Sequence, residues 1–267
     1  MADLRKYGSP PFKTVVIHGG PGAPGEMKPV AEKLAEERGI LEPLQTKTSI
    51  QGQLQELHKT LQQHSNLPVI LIGYSWGAWL SYIFAAHYPL LVKKIILVSS
   101  GPFQEEYTTG IMETRLSRIN EKEKKEANSI IKKLSDSNAE NEEKLLSRFG
   151  QLMAKADSYA PVNTVNESAD LEVQLAVYQK VWQEASNLRR NGQLLKLGSQ
   201  VQCPVVAIHG DYDPHPYQGV KEPLEKIIKD FKFVLLNNCG HTPWLERKVK
   251  DKFYKIIEQE IKSGVEK

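Results

Sequence analysis

The segment that most constrains the fold is a continuous apolar run that ends in a serine-containing turn. The run extends from Pro68 to Ile72 and leads directly into Gly73-Tyr74-Ser75-Trp76-Gly77, after which Trp76 to His87 is predicted to be helical. A strand covered on both faces is continuously apolar and does not alternate, so the run indicates a buried parallel strand. Parallel neighbours are joined by crossover helices, and an α/β fold is therefore predicted.

The same alternation of apolar strand and helix extends on both sides of this segment. Further strands are predicted at 13–17, 40–44, 94–98, 204–208 and 231–236. Helices are predicted at 29–38, 50–64, 220–230 and 244–261. The predicted fold class is α/β, with a mostly parallel sheet of about six strands and helices on both faces.

One long segment interrupts this alternation. Residues 102–200 carry no strand pattern and are rich in helix-forming and charged residues. We interpret them as a helical insertion into a core domain formed by residues 1–101 and 201–267. Within it, four side chains recur at helical spacing, namely Leu171, Leu175, Tyr178 and Trp182. This spacing indicates packing of that helix or, alternatively, the wall of a pocket.

The charge and the cysteine content argue against several classes of protein. Thirty-five basic and 32 acidic residues leave a formal net charge of +3, so no nucleic-acid or membrane-surface partner is predicted. Cys203 and Cys239 are too few for a disulfide framework and are predicted to be free thiols. The N-terminus lacks the apolar region of a secretory signal, and no uninterrupted apolar span is long enough for a membrane helix. A soluble cytoplasmic protein is expected.

Ser75 is the candidate nucleophile because of where its pentapeptide stands. A G-x-S-x-G sequence between a buried strand and a helix places the serine hydroxyl on a sharp turn. Gly73 and Gly77 allow the neighbouring elements to pack closely around that turn. The N-terminus of the following helix favours negative charge that develops beside the serine.

The partners that a serine nucleophile needs follow in chain order. A serine hydroxyl is a weak nucleophile until an imidazole takes its proton, and a buried carboxylate holds the imidazole in the required tautomer. Asp213 follows the predicted strand 204–208, and His241 follows 231–236. We predict Asp213 as the acid and His241 as the base, with Asp211 as the weaker alternative for the acid. No chemistry is assigned to five further histidines, namely His58, His64, His87, His209 and His215.

A glycine-rich loop is the candidate oxyanion hole. His18-Gly19-Gly20-Pro21-Gly22 directly follows the first predicted strand. A backbone N–H of Gly20, or else of Gly19, could act together with the N–H of Trp76 on a developing oxyanion. His18 is interpreted as a residue that fixes the loop by hydrogen bonding, and a second catalytic base is the less favoured alternative.

In these motifs the chain resembles the α/β-hydrolase family, and within it the proline iminopeptidase group. The resemblance rests on the HGGPG loop, the Ser75 turn with tryptophan after the nucleophile, GDYD at 210–213 and the Gly-His pair at 240–241. It spans roughly residues 13 to 262 and implies that 102–200 is a cap. Only about a dozen residues precede the first predicted strand, where the family carries an extra strand pair, so a sheet trimmed to roughly six strands is expected.

The resemblance also implies cap carboxylates that hold the free amine of a peptide substrate. Six glutamates of the cap are available for this role: Glu105, Glu106, Glu113, Glu167, Glu172 and Glu184. None of them aligns with a known position, so peptidase specificity does not follow from the motifs.

Together these features predict a serine hydrolase that cleaves a small ester, an amide or a short peptide through an acyl-enzyme, without cofactor or metal. A carboxylesterase and an iminopeptidase-like aminopeptidase rank equally. The alternative from another class is a non-catalytic ligand receptor on the same fold. A lyase on this scaffold is a third possibility, and Ser75 argues against a dehalogenase, which needs a carboxylate nucleophile.

Overall fold

Seven strands form one twisted sheet in the computed structural model, which describes residues 3–134, 141–162 and 174–265. The strands are β1 (Leu4–Tyr7), β2 (Phe12–Ile17), β3 (Gly39–Pro43), β4 (Val69–Tyr74), β5 (Val92–Val98), β6 (Val205–Gly210) and β7 (Phe231–Leu236). Their order across the sheet is β1-β3-β2-β4-β5-β6-β7, and only β1 pairs antiparallel. The predicted α/β class with a mostly parallel sheet is confirmed.

The described residues also form ten α-helices. Those that connect the strands are α1 (Lys28–Leu34), α2 (Ile50–His64), α3 (Trp76–His87), α9 (Gln218–Ile227) and α10 (Lys250–Val265). Those between β5 and β6 are α4 (Ile111–Ser117), α5 (Glu121–Leu134), α6 (Glu142–Asp157), α7 (Leu175–Arg190) and α8 (Gln193–Lys196). Helix α2 begins where predicted because the Ser49 hydroxyl accepts the N–H of Gly52, which satisfies an otherwise unpaired donor of the first turn.

The sheet has one strand more than the six that the sequence predicts. The additional strand is β1, an edge strand with the sequence Leu-Arg-Lys-Tyr whose central residues are exposed. Edge strands carry charged residues that discourage further pairing, so β1 lacks the apolar signature by which the other six strands were predicted. An N-terminal edge strand is therefore present despite the short N-terminal segment.

Several predicted helix boundaries are wrong. Helix α9 ends at Ile227 and not at 230, α10 ends at Val265 and not at 261, and two further differences have a visible cause. Helix α1 ends at Leu34, because the backbone of Glu36 and Glu37 continues in looser turns that bond three residues back. Helix α10 begins at Lys250 and not at 244, because Glu246 is extended and forms a β-bridge with Pro161 in the segment after α6. Both differences reflect tertiary contacts or turn geometry that periodicity does not report.

Apolar side chains fill a core on each face of the sheet. One core contains α2 and α3 and includes the fully buried rings of Trp76, Trp79 and Tyr82. The other lies under α1 and α10 around Phe253 and Ile257. Strand β4 is buried along its whole length between them, which is why its sequence shows no alternation. The Ser75 turn therefore follows a strand that is buried on both faces.

The helices between β5 and β6 divide into two groups. Helices α5 and α6 pack around a small apolar cluster of their own, whereas α7 joins the main core through Val177, Val181 and Ala185. Trp182 lies on another face of α7, where it stacks on Trp79 and lines a cavity. The pocket-wall interpretation therefore holds for Trp182. Leu171, Glu167 and Glu172 lie outside the described residues.

Two findings bear on the remaining expectations. Cys203 and Cys239 are buried free thiols, as predicted. Among the described helices, none combines the length and the apolar content that crossing a bilayer demands.

Candidate active site

Ser75 lies at the junction of β4 and α3 in a strained backbone conformation. Its φ of 50° and ψ of −111° lie outside the regions that residues with a side chain normally occupy. The Ser75 N–H is tied to the Val98 carbonyl of β5 by a 3.0 Å hydrogen bond. Its side chain lines a cavity of about 180 Å³. The turn thus presents Ser75 at the carboxyl edge of the parallel strands, where open α/β sheets bind ligands.

The two glycines beside Ser75 allow this turn because neither position has room for a side chain. A Cβ atom at Gly73 would overlap the Gly77 carbonyl, and one at Gly77 would overlap the carbonyl of Ile17 at the end of β2. The close packing predicted for these glycines is therefore confirmed. It also brings the first turn of α3 against the loop that follows β2.

His241 and Asp213 are joined directly beside this turn. His241 Nδ1 lies 2.6 Å from Asp213 Oδ2, and both residues are buried. The His241 ring packs against the ring of Tyr74, with centroids 5.1 Å apart. Within the described residues no hydrogen bond joins the Ser75 hydroxyl to His241. In enzymes, contacts between a nucleophile and its base are often long without substrate and tighten when substrate binds.

The electrostatics of this pair favour an ionised aspartate and a basic imidazole. Burial by itself disfavours both charged forms. The facing His241, with His209 and His215, nevertheless holds the pKa of Asp213 well below its usual range. In return, the charge and hydrogen bond of Asp213 raise the pKa of His241 above its ordinary value of 6.5.

The pH dependence of turnover should report this imidazole. A protonated His241 cannot accept the serine proton, so kcat/KM for a neutral ester should rise with pH, with an apparent pKa above about 6.5. Steady-state assays between pH 5 and 9 measure this limb. The carboxyl group of Glu26 titrates over the same pH range, so the profile is also measured for Glu26→Gln. A limb centred below pH 6 in both proteins would contradict the assignment of His241 as the base.

Asp213 has more partners than the sequence suggests. The backbone N–H of His215 donates to its Oδ1 at 3.0 Å, and His215 Nδ1 lies 2.8 Å from the same oxygen. His209 Nε2 lies 3.4 Å from Oδ2. No chemistry was assigned to His209 or His215 from the sequence, yet both contact Asp213, because the loop after β6 folds back and brings Asp213 and His215 against His209 of β6. Burial lowers the pKa of both histidines.

Asp211 takes part in a different contact. Its Oδ1 accepts the backbone N–H of Cys239 at 3.2 Å, which ties the loop after β6 to the loop after β7. The fold thus brings Asp213 to His241 and uses Asp211 to join the two loops that carry them.

Glu246 holds the His241 loop against the segment after α6, a contact that the sequence gave no reason to expect. Its buried carboxylate accepts the backbone N–H groups of Gly240, Tyr159 and Ala160, at 3.0, 2.7 and 2.6 Å. The His241 N–H in turn donates to the carbonyl of Asp157 at 2.9 Å. The segment after α6 therefore helps to position the imidazole.

The glycine-rich loop after β2 is fixed by His18. His18 Nδ1 lies 2.8 Å from the Gly19 carbonyl, and Nε2 accepts the N–H of Gln45. Burial lowers the pKa of His18 to about 4, so its ring stays neutral at physiological pH. The predicted loop-fixing role of His18 is confirmed.

The predicted oxyanion donors belong to two segments, the loop after β2 and the start of α3. Gly20 has a φ of +102°, which favours glycine, and a Cβ at Gly19 would approach the Tyr74 ring to 2.9 Å. Among the loop and turn hydrogen bonds of the described residues, none uses the N–H of Gly19 or Gly20. Trp76 is the first residue of α3, where backbone N–H groups have no partner within the helix.

Glu26 is an acid of this site with a buried carboxylate oxygen, and the sequence gave no reason to expect it. A Cβ added to Gly19 would meet Glu26 Oε2 at 2.5 Å, and within the described residues Oε2 has no hydrogen-bond partner. Burial raises the pKa of Glu26 to about 7, against the opposing influence of His241 and of the Gly19 backbone. A glutamate four residues beyond the glycine-rich loop gave no sequence signal, because only the fold turns it inward.

Replacing Glu26 with glutamine should change how stability depends on pH. The folded-state pKa lies above the unfolded value, so the folded protein binds the proton more tightly and loses stability as pH rises from about 4.5 to about 7. Because glutamine does not ionise, Glu26→Gln should lose up to about 3 kcal/mol less unfolding free energy than the wild type over this pH range. Denaturant unfolding at pH 5 and pH 8 measures the difference. Glu32→Gln, at an exposed position on α1, is the control and should keep the wild-type slope.

A metal ion is not needed to explain the cluster around Asp213. The ligand atoms of Asp213, His215 and His241 lie within 4.8 Å of one another. Both imidazoles direct Nδ1 at the carboxylate at hydrogen-bond distance, so mutual hydrogen bonding accounts for their proximity.

Comparisons with known proteins identify a matching family and several relatives of this chain. A protein-family model described as the alpha/beta hydrolase fold matches residues 46–248. The chain is 25% identical over 202 residues to bovine (Bos taurus) monoacylglycerol lipase ABHD6, covering 74% of this chain and 57% of the relative. It is 26% identical over 182 residues to the pimeloyl-[acyl-carrier protein] methyl ester esterase of Nitrosospira multiformis, covering 66% and 62%. The chain thus spans less than two thirds of the length of these relatives.

Solved structures show the same fold along nearly the whole chain. The crystal structure of VinJ superposes with a TM-score of 0.74 at 16% identity, covering 97% of this chain and 94% of VinJ. A proline iminopeptidase from Mycobacterium smegmatis superposes with a TM-score of 0.63 at 13% identity, covering 98% and 94%. At these identities the likeness extends to the fold and not to the reaction.

Proposed function

The chain belongs to the α/β hydrolase family, and from this premise we propose that it is a serine hydrolase acting on small carboxylic esters. The observation that carries the proposal is the 2.6 Å contact between His241 and Asp213 beside a strained serine that lines a cavity. Two relatives whose names include a lipase and a methyl ester esterase support an ester over an amide.

The reaction starts with attack of Ser75 Oγ on the ester carbonyl. His241 takes the hydroxyl proton, and Asp213 keeps the imidazole in the tautomer with the proton on Nδ1 and stabilises the imidazolium that forms. The N–H groups of Trp76 and Gly20, with Gly19 as the alternative, hold the negative oxygen. His241 then gives its proton to the leaving alcohol, and the acyl group remains on Ser75.

Water then releases the acyl group, and His241 acts on the water molecule as it acted on Ser75. His241 takes a proton from water, the resulting nucleophile attacks the acyl-enzyme, and the acid leaves as Ser75 regains its proton. The Ser75 backbone is strained before substrate arrives, so no reorganisation is needed to expose the hydroxyl.

An iminopeptidase-like specificity has less support. Of the cap carboxylates considered for binding a substrate amine, Glu105 pairs with Arg189 at 2.8 Å and Glu184 accepts the N–H of Ile50 at 2.7 Å. Both are therefore engaged with other groups of the protein.

The decisive experiment is labelling with a fluorophosphonate probe, followed by mass spectrometry of the adduct. We expect the probe to modify the peptide that contains Ser75, with fragment ions that separate Ser75 from Ser65 and Ser81, and heat-denatured protein to stay unlabelled. Hydrolysis of p-nitrophenyl butyrate beside Pro-p-nitroanilide then ranks ester against amide. No labelling and no hydrolysis would instead favour the non-catalytic receptor.

A further inference from the structure

The cavity above Ser75 carries an unusual pair of charged side chains. Among the described residues that line it, the side chains with a permanent charge are Arg115 of α4 and Arg189 of α7, and no carboxylate lines it. Both arginine side chains are more than four-fifths buried. Charged side chains are rarely buried without a partner, so what each guanidinium contacts decides what it can do.

Each arginine is held along one edge by an acid outside the cavity lining. Arg115 donates from Nε and Nη2 to the two carboxylate oxygens of Asp157, at 2.8 and 2.7 Å. Arg189 donates from Nε to Glu105 at 2.8 Å. Within the described residues, Nη1 of Arg115 and both Nη atoms of Arg189 donate no hydrogen bond. The ion pairs therefore fix both guanidinium groups, and each group keeps N–H donors that can bind another acceptor.

A third arginine nearby shows what a purely structural guanidinium contacts in this protein. Arg118 donates to the carbonyls of Ala156 and Tyr212 and lies 3.7 Å from the centre of the Tyr212 ring. It does not line the cavity above Ser75. Arg115 and Arg189 differ from it because both line the cavity that contains Ser75.

Tryptophan rings form a large part of the remaining wall of the cavity, together with smaller residues such as Pro102 and Ile111. Trp79 and Trp182 stack with parallel rings, 6.0 Å between centroids, and Arg189 lies 5.5 Å from the centre of the Trp79 ring. The volume of about 180 Å³ is below the roughly 300 to 1,000 Å³ typical of sites for drug-sized ligands. Flat apolar walls with two planar cations suit a short carbon chain that ends in an anion.

We propose that the ester substrate carries a carboxylate, which binds the free guanidinium donors of Arg115 and Arg189 while its short chain lies against Trp79 and Trp182. This inference rests on the proposed hydrolase function, because the same cavity holds Ser75. Planar guanidinium donors match a carboxylate with two parallel hydrogen bonds, which neither an alkyl group nor an amide can reproduce. A neutral substrate of equal size displaces water from these donors without accepting their hydrogen bonds, and so binds more weakly.

Binding to a protein that cannot turn over tests the inference separately from catalysis. Calorimetry with Ser75→Ala compares monomethyl glutarate with methyl glutaramate, its uncharged isostere. A second pair places the carboxylate in the alcohol part, as the butyrate esters of glycolate and glycolamide. We expect the anion to bind about tenfold or more tightly in at least one pair, equivalent to about 1.4 kcal/mol.

Two further variants test whether the preference for the anion arises in the cavity. Adding Arg189→Gln should reduce the anion preference to less than about threefold, since one of the two cations is lost. Adding Arg148→Gln should leave it as it was, because Arg148 pairs with Glu126 on the cap surface by the same kind of contact. Equal binding of anion and isostere in both pairs, or a preference that survives Arg189→Gln, would overturn the inference.

These experiments distinguish failure of the carboxylate inference from failure of the proposed hydrolase function. If the anion preference is found but the wild-type protein neither hydrolyses these esters nor reacts with the fluorophosphonate, the carboxylate site stands and the hydrolase proposal falls. If labelling and hydrolysis occur without any anion preference, the reverse holds.

Discussion

Replacing Ser75 with alanine is expected to lower kcat for a short ester by about 10³- to 10⁶-fold and to abolish fluorophosphonate labelling. The substitution removes the atom that forms the acyl-enzyme and leaves the turn and the cavity in place. A residual rate above background would come from the N–H groups that stabilise the oxyanion and from binding alone. KM should change little, because the hydroxyl contributes more to the transition state than to substrate binding.

Ser100→Ala is the matched control for this variant. Ser100 is also a buried serine just beyond a parallel strand, but its hydroxyl donates to the neighbouring Gly101 carbonyl. Its loss should keep kcat within about threefold of wild type, since a single neutral hydrogen bond contributes roughly 1 kcal/mol to stability and nothing to the reaction. Wild-type activity in Ser75→Ala would show that another group is the nucleophile.

Replacing Asp213 with asparagine is expected to reduce kcat by about 10⁴-fold. The carboxylate now accepts hydrogen bonds from His241 and His215, and an asparagine would present an amide N–H₂ to at least one of these donors. The imidazole would then favour the tautomer with the proton on Nε2, which cannot accept the serine proton. The same loss of negative charge should shift the acid limb of any residual activity to lower pH.

Asp211→Asn separates this effect from a general disturbance of the loop. The two aspartates are two residues apart, and Asp211 Oδ1 accepts only the Cys239 N–H among the described residues. An asparagine oxygen can accept that hydrogen bond, so activity should stay within about threefold and stability within about 1 kcal/mol. A larger loss of kcat in Asp211→Asn than in Asp213→Asn would reverse the two assignments. Both rates should be compared with protein of verified folded content.

Residues whose signal is local were predictable. The buried strand β4, the glycines that flank Ser75 and the alternation of strand and helix follow from apolar patterning and from the absence of a Cβ. The chain order of Ser75, Asp213 and His241 identified strand ends, and parallel strands bring their carboxyl ends to one edge of the sheet. The edge strand β1 was missed because its central residues are charged and exposed.

Residues that are placed by the way loops fold were not predictable. Glu26 turns inward against Gly19, Glu246 binds the segment after α6, and His215 folds over Asp213. None has a periodicity or spacing that distinguishes it from a surface side chain. The pocket-facing position of Trp182 was one of two alternatives until its stacking on Trp79 decided between them.

The sequence by itself determined the α/β class, the serine turn and which acid and base stand at strand ends, because each depends on neighbours along the chain. Only the tertiary structure decided that Asp213 contacts His241 at 2.6 Å, that a carboxylate oxygen of Glu26 is buried beside them, and that Arg115 and Arg189 line the cavity above Ser75. The physical reason is that burial and electrostatic coupling are set by segments far apart in sequence, which hydrophobic pattern does not encode.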